Sequence, residues 1–149
     1  MAVHIPLSGA SQKEAIDLML PTHNLLKPAD GSPITVPNKE MVIGCYYLTT
    51  VDPAKAGQDE KSLRIFADGQ EAIYALQAHK VALREPVRIM INGALVTTTV
   101  GTYMFNEVLP EGLRYINAPV KAATIKQLIT KAFGMYSKEE VTKLIDAIK

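Results

Sequence analysis

The pattern of apolar and polar residues at the start of the chain predicts a short strand followed by a helix. Ala2–Ile5 form the predicted strand, and Pro6 and Ser8 close it. Ser8 is a good helix N-cap, because its hydroxyl can accept a hydrogen bond from a backbone N–H of the first turn. Pro21 ends the helix, since its ring and missing N–H interrupt the helical ladder. The apolar residues at helical spacing are Ala15, Ile16, Leu18 and Met19.

Residues 22–37 are predicted to form an extended loop held down by apolar side chains. Pro28, Pro33 and Pro37 interrupt this segment, and Asp30-Gly31 is typical of a turn. The loop is not expected to be disordered, because four apolar residues can anchor it. These residues are Leu25, Leu26, Ile34 and Val36.

A buried helix, an exposed loop and a short strand are predicted next. Met41–Leu48 is dense in apolar and aromatic residues, which indicates a short buried helix that Asn38 can cap. Residues 50–62 are polar and contain one large apolar residue, so we expect an exposed loop there. Leu63–Phe66 is predicted as a strand.

The middle of the chain contains the clearest turn signals. Asp68 and Glu71 have the spacing of a capping box, which predicts a helix that runs to about Ala78. Asn92-Gly93 favours a type I′ turn, because both residues tolerate positive φ, and the twist of this turn matches the flanking strands. The chain therefore has a predicted β-hairpin near 87–99, with the strands Val87–Ile91 and Ala94–Thr99.

The last third of the chain is predicted to be helical. Pro110 ends a helix over 101–109, and residues 114–118 form a connector. A second helix runs from Pro119 or Val120 to Phe133, with Gly134 at the C′ position, and the capping box 137–140 opens a third helix that continues to Lys149. The fold class is α+β, with mixed helices and short antiparallel strands.

Composition excludes few classes of function. A chain of 149 residues suffices for one domain with a core or two very small domains. The 48% apolar and 21% charged residues are typical of a globular protein, and the net charge of +1 neither suggests nor excludes nucleic acid. Cys45 is the only cysteine, so a reducing, cytoplasmic location is expected, and no apolar run is long enough to predict a membrane span.

The residues alone do not identify a catalytic site. His4, His23 and His79 lack the spacing of a metal site, and Cys45 lies among apolar neighbours, as a packed core thiol does. The glycines are too dispersed for a phosphate-binding loop. Six cations are candidate phosphate contacts if they share a face, although solvated surface charge is the more ordinary interpretation. They are Lys27, Lys39, Arg84, Arg88, Arg114 and Lys121.

Several ordered segments resemble the largest subunit of multisubunit RNA polymerase, which is called beta-prime in bacteria. The first eight residues resemble the family's segment that directly follows its metal-binding aspartate loop, Asn-Ala-Asp-Phe-Asp-Gly-Asp-Gln. Several matches in order are more specific than any one of them. The further matching segments are Asn24–Ile34, Val36-Pro37, Gly44–Thr49, Val87–Ile89, Thr98–Gly101 and Phe105–Pro110.

The resemblance implies both an architecture and a function. Residues 1–7 would be the last strand of a catalytic double-psi β-barrel that is otherwise absent, and residues 8–149 would form a pore-domain-like α+β region. The segment would support the active site and the secondary channel, where nucleotides enter, in DNA-templated RNA synthesis. The residues implied to lie nearest that channel are Asn24, Asn38, Lys39 and Glu40.

Three departures from the family pattern, at four positions, accompany the resemblance. Lys39-Glu40 stands where the family usually has Gln-Asp, His23 stands in place of an asparagine, and Thr102 replaces an arginine. Loss of that arginine removes a bidentate donor for phosphate or carboxylate.

The implied chemistry is nucleotidyl transfer by two Mg²⁺ ions, held about 3.5–4 Å apart by carboxylates. The aspartates that hold them in the parent enzyme are not in this chain, so no catalytic residue or metal ligand is assigned to it. We expect the isolated chain to bind no metal cofactor and to be inactive.

The implied partners are the beta, alpha and omega subunits and the remainder of beta-prime. DNA, RNA and nucleoside triphosphates would join them in the assembled enzyme, and no membrane is expected. The alternative is a free-standing, non-catalytic interaction protein derived from this fold, whereas an unrelated small hydrolase has no nucleophile–base pair to support it. A truncated form, a split gene product and a free-standing protein are all compatible with the sequence.

Overall fold

The computed structural model describes residues 2–149, which form an α+β fold with a helical C-terminal third, as predicted. Within these residues there are six α-helices and one three-stranded sheet. The helices are α1 Gly9–Glu14, α2 Glu40–Thr49, α3 Gly69–Gln77, α4 Val100–Val108, α5 Ala122–Met135 and α6 Lys138–Ile148. The strands are β1 Ile65–Phe66, β2 Pro86–Ile91 and β3 Ala94–Thr99.

The predicted hairpin is confirmed. β2 and β3 pair in antiparallel register from Pro86 opposite Thr99 to Ile91 opposite Ala94. Asn92 and Gly93 both have positive φ, 49° and 80°, as a type I′ turn requires.

The predicted antiparallel pairing is confirmed for β2 and β3, but β1 differs. Its residue Ile65 pairs in parallel with Arg88 of β2. Two parallel strands need a crossover connection, and α3 supplies it between β1 and β2. Asp68 caps this helix by accepting a hydrogen bond from the Glu71 backbone N–H at 2.7 Å, whereas the Glu71 carboxylate accepts from the N–H of Ala67, one residue before the predicted partner.

Two apolar clusters form the core, and α4 contributes to both. Val100 at the start of α4 packs in the cluster between the sheet and α3. Phe105, on the next turn, packs in the larger cluster with Cys45 of α2 and the buried faces of α5 and α6. The burial of Cys45 confirms the predicted packed thiol.

The N-terminal strand does not form within the described chain. Residues 2–7 have no strand partner, and Val3, Ile5 and Leu7 are 84%, 76% and 92% exposed. The assignment of this segment to a barrel strand therefore stays a prediction. The following helix is confirmed, with Ser8 accepting from the Ser11 N–H at 3.1 Å, but its last turn, Ala15–Met19, is π-helical.

Two predicted helix ends were wrong. Asn38 does not cap α2, because Lys39 occupies the N-cap position and no side chain caps the helix. Gly134 lies inside α5, which continues to Met135, because the capping box of Ser137 and Glu140 sets the break between α5 and α6. That capping box is confirmed, with Ser137 Oγ accepting from the Glu140 N–H at 3.3 Å.

The predicted burial of α2 was also wrong for most of its surface. Only Cys45 and Thr49 are buried, whereas Ile43, Tyr46 and Tyr47 are 68%, 46% and 55% exposed. A helix that is apolar all round is expected to be covered on every side, and in the described chain α2 is covered on one side.

The backbones of α2 and α4 approach closely at Gly101. A Cβ atom added to this glycine would collide with the carbonyl oxygen of Leu48, at the end of α2. Because the atom in the way belongs to the backbone, a rotamer change cannot relieve the clash.

We expect Gly101→Ala to lower the free energy of unfolding by about 1–3 kcal/mol, the usual cost of overpacking a core. The matched control is Gly44→Ala, because Gly44 lies in α2 with nothing within 4 Å of an added Cβ. This control should raise stability by about 0.5–1 kcal/mol, since alanine loses less entropy than glycine in a helix. Urea denaturation midpoints of the two variants measure both effects, and equal midpoints would contradict the close approach.

Candidate functional site

The loop before α2 is a compact hairpin fixed by its own backbone. Leu26 and Pro33 form an antiparallel bridge, and the Ile34 N–H donates to the Leu25 carbonyl at 2.8 Å. At the tip, the Asp30 carboxylate accepts hydrogen bonds from the Ser32 N–H at 3.0 Å and the Ser32 hydroxyl at 2.8 Å. These hydrogen bonds stabilise the ionised carboxylate and lower the pKa of Asp30, and the bond from the backbone N–H has the larger effect. The predicted turn-rich loop is confirmed, but two of its four predicted anchors are not buried: Leu26 is 38% and Ile34 51% exposed, whereas Leu25 is buried.

The side chain of Asn24 holds the end of the first helix. Its Nδ2 donates to the carbonyls of Leu18 at 2.7 Å and Leu20 at 3.1 Å. The neighbouring His23 Nδ1 lies 2.9 Å from the Asp17 carbonyl, to which it must donate. Both side chains thus satisfy carbonyls that a helix C-terminus leaves free. They are exposed, so the local bonds do not remove them from the surface.

The turn into α2 places Lys39 in an unusual backbone conformation. Its φ is 49° and its ψ is −120°, a region that glycine adopts more readily than any other residue. Asn38, Lys39 and Glu40 are all exposed, and the buried Pro37 anchors them. Glu40 lies in the first turn of α2, where the helix dipole favours a negative charge.

The four predicted channel residues therefore lie on both sides of one loop. Asn24 directly precedes the hairpin at residues 25–34, and residues 38–40 follow it. No hydrogen bond or ion pair joins Asn24 to residues 38–40 in the described part of the chain. What they share is exposure at the surface.

Behind α2, a buried polar network joins the helix to the rest of the fold. Thr49 Oγ1 donates to the Cys45 carbonyl at 2.7 Å and accepts from the Val120 N–H at 2.8 Å. Asn106, only 2% exposed, donates to the carbonyls of Thr102 at 2.9 Å and Ile116 at 2.8 Å, and it accepts from the Ile116 N–H at 2.7 Å. Every polar atom of this asparagine side chain is therefore paired, as burial requires.

Thr102, which the resemblance implied to replace an arginine, lies inside this network. It is 3% exposed, its N–H donates to Thr99 Oγ1 at 3.1 Å, and its hydroxyl lies 2.9 Å from the same oxygen. An arginine here would have to bring a guanidinium group into a buried contact, which is costly without an anionic partner. Position 102 is structural in this chain.

Two of the six candidate cations hold backbone carbonyls in place. Arg84 Nε and Nη2 donate to Thr50 and Val51, both at 3.2 Å. Arg114 Nε donates to the Leu109 carbonyl and its Nη2 to the Glu107 carbonyl, at 2.6 and 2.9 Å, which caps the end of α4. Arg114 is exposed, as predicted for surface charge, whereas Arg84 is half-buried. The contacts of both arginines to the main chain could not be predicted from the sequence, because the fold brings these carbonyls to the guanidinium groups.

The described residues do not form a magnesium site. No group of three or more His, Cys, Asp or Glu side chains within residues 2–149 is placed to hold a metal ion. The residues present thus do not fit the two-metal chemistry that the family implies. Burial raises the pKa of Cys45, which keeps this thiol protonated and unreactive.

None of the described helices is both long and apolar enough to span a membrane.

We expect Lys39→Gly to raise the free energy of unfolding by about 1 kcal/mol. Relief of backbone strain is worth about 1–3 kcal/mol, and the greater entropy of glycine in the unfolded chain offsets about 0.5–1 kcal/mol of it. The control is Asn38→Gly, next to Lys39 but without positive φ, which should lower stability. Thermal or urea midpoints measure the difference. A Lys39→Gly variant that is less stable than the wild type would mean that the turn is unstrained.

Comparison with protein families gives a match to the model of RNA polymerase Rpb1, domain 3, over residues 24–149. The matched range starts at Asn24, covers the loop before α2 and continues to the last residue. It therefore includes all four predicted channel residues.

Curated relatives match the whole chain. DNA-directed RNA polymerase subunit beta′ of Tropheryma whipplei (strain TW08/27) is 41% identical over 159 residues, which span 100% of this chain and 12% of the relative. The proteins of the same name from Sulfurihydrogenibium sp. (strain YO3AOP1) and Desulforudis audaxviator (strain MP104C) are 36% and 39% identical over the whole chain, and the matches span 9% and 13% of those relatives.

The chain spans about a tenth of the length of the curated relatives it matches. The predicted resemblance to bacterial beta-prime is confirmed by these matches. This chain belongs to the RNA polymerase Rpb1, domain 3 family.

Proposed function

We propose that this chain is a segment of an RNA polymerase largest subunit that supports DNA-directed RNA synthesis. The observation that carries the proposal is similarity along all 149 residues to subunits named for that activity. The buried network around Thr49 and Asn106 gives the segment a rigid frame, as a support for an active site needs. Its partners would be the remainder of the subunit, the other polymerase subunits, nucleic acid and nucleoside triphosphates.

We further propose that the turn at residues 38–40 borders the channel through which nucleotides pass. Lys39 is exposed at the N-terminus of α2, so its charge and the positive end of the helix dipole both attract an anion such as a triphosphate. The strained backbone of Lys39 is consistent with a functional position, because strain persists where the surroundings hold it in place.

The chemistry itself would come from elsewhere in the enzyme. Mg²⁺ would be bound by carboxylates outside this chain, since residues 2–149 contain no cluster that fits the ion. The chain would then contribute position and shape to the active site, and it would not contribute catalytic groups.

A chimeric beta-prime subunit tests the proposal directly. The chimera is the beta′ subunit of the 41% identical relative, in which this chain replaces the matched segment. The other subunits of that polymerase are then added. We expect template-dependent RNA synthesis with Mg²⁺ by the assembled chimera, and none by the isolated chain, because two-metal catalysis requires carboxylates that the chain lacks. The control is the same subunit with the segment deleted. A chimera no more active than this control, or activity of the rigorously purified isolated chain, would contradict the proposal.

Lys39→Gln in this chimera tests the channel assignment. A unit charge about 4 Å from a phosphate is worth on the order of 4 kcal/mol at an effective dielectric of 20, which solvent and salt reduce to about 1 kcal/mol at an exposed site. At low salt we therefore expect the apparent KM for nucleotides to rise about five-fold, or the rate of cleavage of backtracked RNA to change. Both effects should be smaller at high salt. The control is Lys131→Gln, because Lys131 is an exposed lysine of α5. If Lys39→Gln and Lys131→Gln behave alike at low salt, residues 38–40 do not border the channel.

A further inference from the structure

α2 presents an aromatic and apolar face that no other part of the described chain covers. Ile43, Tyr46 and Tyr47 have i, i+3 and i+4 spacing, so they lie on one side of the helix. All three are exposed, and Val51, just beyond the helix, is 41% exposed. These four residues together with Arg84 are called the α2 face below.

Arg84 makes this surface continuous and fixes its shape. Its guanidinium carbon lies 4.4 Å from the centre of the Tyr47 ring, a cation–π distance. The bonds from the same group to the Thr50 and Val51 carbonyls hold it against the end of α2. The arginine and Tyr47 are therefore already in place before any partner arrives, which lowers the entropic cost of binding.

Arg84 has no anionic partner among the residues that the structure describes. The salt bridges found there join Lys55 to Glu85 at 2.7 Å and Arg114 to Glu107 at 3.5 Å. A fixed guanidinium with an open side is complementary to a carboxylate, and this pairing is the stronger kind of hydrogen bond.

The chemistry of the face favours a protein partner over nucleic acid. Tyrosine and arginine are enriched among the residues that dominate protein–protein binding energy. A surface that binds single-stranded nucleic acid needs a positive groove that follows the phosphate backbone. Here Glu40 follows Lys39 in the first turn of α2, and Glu85, which pairs with Lys55, directly follows Arg84, so carboxylates alternate with the cations near this face.

We propose that the α2 face docks an apolar protein segment from another part of the parent polymerase, with a carboxylate of that segment placed against Arg84. This inference rests on the proposed function and names one contact by which the segment joins the enzyme. The partner is defined by its chemistry: aliphatic or aromatic side chains over Ile43 and Tyr46, and an Asp or Glu at the edge.

Photo-crosslinking in the assembled chimera tests the contact. Tyr46 is replaced by a benzophenone-bearing phenylalanine, and the cross-linked products are identified by mass spectrometry. We expect a peptide from a polymerase subunit that contains apolar residues and at least one Asp or Glu. Cross-links to nucleic acid alone, or none in an assembled chimera, would overturn the docking proposal.

Two substitutions of Arg84, one that reverses its charge and one that keeps it, test the role of this residue. Arg84→Glu should lower the Tyr46 cross-link yield about five-fold or more, and Arg84→Lys should retain at least about half of it, because the lysine keeps the charge. The matched control is Arg64→Glu, just before β1, which also removes an arginine bond to a backbone carbonyl, that of Lys80, but is not one of the residues of the α2 face. Equal effects of Arg84→Glu and Arg64→Glu would overturn the carboxylate contact.

Co-purification with the other subunits separates failure of this inference from failure of the proposed function. A chimera that assembles and transcribes but gives no cross-link to a protein segment at Tyr46 overturns the docking proposal alone. A wild-type chimera that does not assemble overturns the proposed function and the docking proposal with it.

Discussion

The close approach of α4 to α2 at Gly101 is the constraint on which the rest of the structure depends. It brings the backbone of α4 against the Leu48 carbonyl, and there the Thr102 hydroxyl lies 3.4 Å from the Thr49 carbonyl. A larger residue at position 101 would separate the helices, and the buried polar groups between them would lose their partners. The cost would then be both overpacking and unsatisfied hydrogen bonds, which are expensive in a buried setting.

Because α4 packs in both apolar clusters, its position also relates the sheet to the helical C-terminal part. Tyr103 lies against the start of α3, where Gly69 leaves room for the ring. On the next turn, Asn106 binds the backbone of Ile116 in both directions. The nine-residue helix α4 thus contacts α2, α3 and the connector to α5. Its packing against α2 sets the position of the exposed side of α2.

Local signals in the sequence predicted most helices and strands. They did not predict the contacts that these elements make with distant parts of the chain. The Asn92-Gly93 turn and the Ser137 capping box depend on neighbours a few residues away, so the sequence alone identified them. The parallel pairing of β1, the bonds of Asn24 and the roles of Arg84 and Arg114 depend on main-chain groups that the fold brings together. Asn106 carried a weak signal, as a polar residue among the apolar positions of an amphipathic helix. For the candidate site, the family resemblance named residues 38–40, and nothing in the sequence indicated the strained backbone of Lys39.

The wrong prediction of a buried α2 has a physical meaning of its own. The composition of Met41–Leu48 is that of a covered helix, and the described chain covers only the side with Cys45 and Thr49. Exposed Tyr and Ile side chains next to a fixed, unpaired arginine are a costly surface for an isolated domain and an ordinary one for an interface. The same reasoning applies to the exposed apolar side chains of residues 3–20, which also lack partners within the described chain. Two such surfaces on a chain that spans about a tenth of its relatives' length are what a segment built to pack inside a larger subunit would present.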